Sequence, residues 1–125
     1  MIYPKTEDPL NRDGKMCLYA PDVTVGPDGR YYLYYVLDHV SVVSVAVSDT
    51  PAGKYEFYGY VKYSDGIAIG KKNEPFQFDP GIFMDDDGKL YLYTVLHWQE
   101  TRSFWMDRNR QNMARCVLNL ILLIC

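Results

Sequence analysis

A sixteen-residue motif occurs twice in this chain, offset by 59 residues and without a gap. Pro21 to Val36 reads PDVTVGPDGRYYLYYV, and Pro80 to Val95 reads PGIFMDDDGKLYLYTV. Seven aligned positions are identical: Pro21/Pro80, Asp28/Asp87, Gly29/Gly88, Tyr32/Tyr91, Leu33/Leu92, Tyr34/Tyr93 and Val36/Val95. A fixed internal period selects a repeat architecture before other signals are weighed. Each copy holds a Gly-bearing turn followed by a Tyr-, Leu- and Val-rich run, so the repeated unit is made of strands.

The remaining strand signals agree. Ser41 to Ser48 alternates, with Val43, Val45 and Val47 on one face and Ser44, Ala46 and Ser48 on the other. That period predicts a half-buried strand. Thr50-Pro51-Ala52-Gly53 forms a turn, and Tyr55 to Lys62 is expected to pair back as a hairpin. Gly81 to Met84, the acidic turn Asp85 to Gly88 and Lys89 to Val95 restart the cycle. No helix is needed between residues 18 and 95. Sequential antiparallel strands at this period predict an all-β fold of about two four-stranded blades of a β-propeller. A β-sandwich with incidental self-similarity is the alternative.

Composition divides the chain near Val95. Residues 1–95 hold all nine glycines and all seven prolines, and their net charge is −5 from nine basic and fourteen acidic side chains. Residues 96–125 have no glycine, proline or lysine, and carry four arginines against Glu100 and Asp107. The division predicts a partial propeller over 1–95 and a divergent tail over 96–125. Arg108 to Cys125 is able to form a helix with an apolar end, a surface for self-association.

Several function classes are set aside. A net charge of −3 gives no basic patch for nucleic acid. The longest apolar cluster, Cys116 to Cys125, is about half of the roughly 20 residues a membrane span needs. Met1-Ile2-Tyr3-Pro4-Lys5 shows no charged and then apolar leader, so the expectation is a soluble chain whose location is left open, cytoplasmic only by default. Cys17, Cys116 and Cys125 have neither disulfide nor zinc spacing, and His39 and His97 lack partner ligands. Asp85-Asp86-Asp87-Gly88 lacks the alternating ligands and distant glutamate of a calcium loop and reads as a hairpin turn. No metal or cofactor is expected. Trp98 and Trp105 suit either sugar stacking or a core.

Three stretches carry a specific resemblance: Tyr19-Ala20-Pro21-Asp22-Val23 with its following turn, Val45 to Gly53, and Phe78-Asp79-Pro80-Gly81-Ile82-Phe83 followed by Asp86-Asp87-Gly88-Lys89-Leu90-Tyr91-Leu92. In this order, over about residues 16–95, they resemble glycoside hydrolase family 43, the five-bladed β-propeller arabinanases, arabinofuranosidases and β-xylosidases. The resemblance implies an inverting glycosidase acting on arabinose- or xylose-containing polysaccharide. It implies three carboxylates: a general base, a general acid and an aspartate that orients the acid and raises its pKa. By motif, the third is Asp79. Asp22 and Phe78 are placed at the substrate pocket, with a local strand-start role as the alternative for Asp22.

The other two carboxylates are not found. Asp8-Pro9 resembles the base motif, but it lies fourteen residues before Asp22 where a blade step is 59. Glu100, twenty-one residues after Asp79, lacks the context of the acid. Inverting hydrolysis needs an acid and a base about 6.5–9.5 Å apart. The expectation is therefore a fragment, from a truncated or frame-shifted gene, without activity alone. A non-catalytic carbohydrate-binding or β-repeat interaction module is the alternative function.

Overall fold

The computed structural model describes residues 7–71, 76–97 and 118–123. It contains two antiparallel sheets. The first has β1 (Leu18–Val25), β2 (Tyr31–Leu37), β3 (Val43–Ser48) and β4 (Glu56–Tyr60) in sequential order. The second has β5 (Phe76–Met84), β6 (Leu90–His97) and β7 (Leu118–Leu123), again in order. The all-β expectation holds, with one complete four-stranded blade and three strands of a second among the described residues.

The repeat is reproduced in register. Tyr19 faces Val36 as Phe78 faces Val95, Asp22 faces Tyr34 as Gly81 faces Tyr93, and Val23 faces Leu33 as Ile82 faces Leu92. The hairpin turns share their closing backbone bond and the ion pair that follows it. Gly26 N donates to Arg30 O at 2.8 Å and Asp85 N to Lys89 O at 2.9 Å. Asp28 receives Arg30 Nε at 2.7 Å, and Asp87 receives Lys89 Nζ at 2.6 Å. These contacts hold the Asp28 carboxyl down at about 2, through the Arg30 and then the Tyr32 hydrogen bonds, and lower that of Asp87 through Lys89. The acidic run at Asp85 to Gly88 is thus a turn whose Asp87 is held by Lys89.

Side chains of β2 alternate between two cores, as the strand period requires. Tyr34 and Val36 join Val43, Val45, Val61, Ile69 and Leu92 between the sheets. Leu33, Tyr35 and Leu37 join Ala46 and Tyr55 on the opposite face, flanked by Leu10, Met16 and Leu18. This corrects the half-buried expectation for Ser41 to Ser48. Val43, Ser44, Val45 and Ala46 are all buried, because the second sheet covers one face and the segment before β1 covers the other. The sheets meet mainly where β5 packs on β1 and β2, so their first strands are neighbours.

Two features fasten this arrangement. At the crossing between sheets, Gly70 has φ +91° and a Cβ there would run into the Ser41 carbonyl, so only glycine fits without strain. Before β1, Asp8 caps a 3-10 turn at Pro9–Asn11 and is fully buried. Its Oδ1 accepts from Leu10 N (2.9 Å) and Tyr60 Oη (3.0 Å), and its Oδ2 from Ser44 Oγ (2.7 Å) and Tyr35 Oη (3.0 Å). Glu7 beside it accepts from Phe57 N on β4 at 3.3 Å and pairs with Lys54 at 3.1 Å. Residues 7–17 are thereby strapped across the outer face of the first blade.

In the tail, where the sequence leaves a helix open over Arg108 to Cys125, Leu118–Leu123 is a strand paired to β6. A six-residue apolar run has no period that separates helix from strand. The free edge of β6 supplies the donors and acceptors that decide it. Glu100, Trp98 and Trp105 lie outside the described residues.

Candidate active-site edge

The candidate site lies on the two first strands, at a β-bulge that the repeat builds twice. Between Tyr19 and Asp22, β1 advances three residues while β2 advances two, from Val36 to Tyr34. Between Phe78 and Gly81, β5 does the same against Val95 and Tyr93. Two residues thus stand opposite one in each bulge: Ala20-Pro21 opposite Tyr35, and Asp79-Pro80 opposite Thr94. Ala20 has φ +45° and Asp79 φ +46°, the left-handed region. Residues with a Cβ avoid it at a cost of about 1–3 kcal/mol, and a following proline favours extended backbone instead. Strain repeated at the same position of both copies is a property of the unit, and bulges commonly re-aim a side chain next to a functional site. In the first copy the re-aimed side chain is a methyl group, and in the second it is a carboxylate.

Asp79 is exposed. Beside it, Phe78 is 41% exposed and Tyr19, its repeat equivalent, 43%. Their ring centroids are 6.2 Å apart with planes inclined by 40°. Tyr19 was missed as a candidate in the sequence, although the offset of 59 residues from Phe78 pairs the two. The arrangement offers one solvent-facing carboxylate next to two apolar ring faces, which suits the C–H faces of a sugar. Two-carboxylate hydrolysis cannot run on it alone.

Asp22 sits differently. It is half-buried, and its oxygens are taken by backbone: Oδ1 accepts from Val23 N at 2.9 Å and Oδ2 from Ile82 N at 2.7 Å. Asp8, with each oxygen accepting two hydrogen bonds in a fully buried position, leaves no room for a water to be activated. Its surroundings push the phenols of Tyr35 and Tyr60 upward, burial first and the Asp8 charge and hydrogen bond after it. At the far end of the first sheet, between its two turns, lies an open polar groove of about 380 Å³ lined by Arg30, Asp49, Thr50, Lys54 and Glu56. His39, at φ +63°, is a surface side chain 3.9 Å from Asp38.

Comparison with known proteins decides the family. A model of the glycosyl hydrolases family 43 matches residues 3–119. The chain belongs to this family. A xylosidase/arabinosidase of Thermoclostridium stercorarium is 67% identical over 95 residues, 75% of this chain and 20% of that protein. An extracellular endo-alpha-(1->5)-L-arabinanase of Thermotoga petrophila is 32% identical over 90 residues, 60% of this chain and 19% of that one. The solved endo-1,5-alpha-L-arabinanase from Thermotoga petrophila RKU-1 aligns at 30% identity and a TM-score of 0.48, over 65% of this chain and 21% of that chain. The family 43 chain described here thus spans about a fifth of the length of these relatives.

Proposed function

We propose that this chain forms two adjoining blades of a glycosidase that cleaves arabinosyl or xylosyl linkages in plant polysaccharide with inversion. Asp79 is the carboxylate that tunes the general acid, and Tyr19 and Phe78 are ring faces along which the sugar lies. The observation that carries this is the strained pre-proline bulge of both copies, with an exposed carboxylate in the second alone. Family membership supports the reaction class. A carboxylate held near an acid disfavours that acid's ionisation and keeps it protonated at neutral pH.

The chain by itself supplies this third carboxylate and the sugar-facing edge, and hydrolysis requires an acid and a base from other blades. The test is release of 4-nitrophenol from its α-L-arabinofuranoside and β-D-xylopyranoside. No turnover is expected from the purified chain. Turnover abolished by Asp79→Ala would contradict the division of roles.

A further inference from the structure

We propose that Asp22 is a positioning residue for Asp79, acting across the junction between the blades. Val23 and Ile82 occupy equivalent positions, 59 residues apart, two residues beyond the bulges on β1 and β5. Their amides therefore point the same way, away from the hairpin partner, on the free inner edge of each sheet. Such edge amides need an acceptor. A single carboxylate supplies both: Asp22 Oδ1 accepts from Val23 N at 2.9 Å and Oδ2 from Ile82 N at 2.7 Å. One group thus ties the equivalent points of two neighbouring first strands to each other.

The consequence falls on Asp79. Ile82 lies three residues after it, beyond Pro80, whose ring fixes its own φ, and Gly81. Packing between the sheets through Tyr34, Val45 and Leu92 holds the blades together without direction. The Asp22 to Ile82 bond adds direction and register, at the strand level next to the bulge. It sets how far the Asp79 bulge stands from the Ala20 bulge and from Tyr19. In the second blade the position of Asp22 is Gly81, where a Cβ would meet nothing, so this clamp is a feature of the first junction and not of every repeat.

The role in catalysis rests on the proposed function, whereas the clamp itself does not, and the experiment separates them. Asp22→Asn keeps size and shape but retains one acceptor oxygen and turns an N–H group toward an amide. In the 125-residue chain, hydrogen exchange at Ile82 N is expected to accelerate at least about tenfold in this variant, the loss of one charge-assisted bond. The side-chain carboxyl ¹³C resonance of Asp79 is expected to move as well. It should stay in place in Leu37→Ala, a core variant on the opposite face of the first sheet, chosen to lose comparable stability away from the junction. If Asp22→Asn does not fold, Asp22→Thr, which keeps one acceptor and suits a strand, is measured in the same two ways. Unchanged Ile82 exchange, or an Asp79 resonance that moves equally in the core variant, overturns the proposal. Faster Ile82 exchange and a shifted Asp79 resonance uphold the clamp even if the chain binds no sugar, an outcome that would count against the proposed function alone.

Discussion

Replacing Asp8 with alanine is expected to be the most damaging single change in the first blade. The carboxylate is fully buried and receives Leu10 N, Tyr60 Oη, Ser44 Oγ and Tyr35 Oη. Without it, hydroxyls can turn toward one another, but the Leu10 amide has no such freedom and at least one hydroxyl is left over. An unsatisfied buried donor costs about 1–3 kcal/mol, which gives about 3 kcal/mol for the pair once relief of the carboxylate's own desolvation is counted. Asp8→Asn should cost less, about 1.5 kcal/mol, because its oxygen can face Leu10 and Tyr60 while its amide group faces two rotatable hydroxyls. Urea unfolding followed by tyrosine fluorescence reads the difference. With a slope of about 2 kcal/mol per molar, the midpoint should fall by roughly 1.5 M for alanine and about half that for asparagine. A shift below about 0.3 M for Asp8→Ala, or a larger loss for asparagine than for alanine, would refute the reasoning that satisfied donors hold the strap down.

Two further outcomes are expected. The Tyr35 and Tyr60 phenols are raised above the ordinary value of 10.0 by burial and then Asp8, so their stabilisation is complete below pH 10 and is lost as pH rises beyond it. Urea midpoints measured from pH 8 to 11 should decline above 10, and Tyr35→Phe should flatten that decline; an unchanged slope would count against the coupling. Gly70→Ala should cost at least about 1–3 kcal/mol, since it adds a Cβ at positive φ against the Ser41 carbonyl. Gly59→Ala, with open space around it, should stay within about 1 kcal/mol of the parent.

What could be read from the sequence follows the range of the interactions. The twin turns at Asp28-Gly29 and Asp87-Gly88 were legible because their bonds span two to four residues. The 59-residue offset carried over into strand register for the same reason, each unit being a local hairpin. The burial of both faces of β3 was not legible, since it depends on a second sheet and on the strap. Nor was the Asp8 network, whose partners Tyr35, Ser44 and Tyr60 lie 27, 36 and 52 residues away. Asp79 stood out by motif, but its exposure and its strained φ came from the structure. Tyr19 could have been found from the repeat offset alone. Asp22 was assigned to the substrate pocket by resemblance, and its bond to Ile82, 60 residues away, could not be anticipated from local pattern.

The most direct test of the central claim is a titration of the ¹⁵N-labelled chain with linear arabinotriose and xylotriose, followed by amide chemical shifts. Shifts concentrated at Tyr19, Phe78 and Asp79 with at least one of the two sugars, and diminished in Phe78→Ala, are the predicted result. Shifts confined to other surfaces, such as the groove around Arg30 and Lys54, or none with either sugar, would contradict the assignment of this edge to a sugar site.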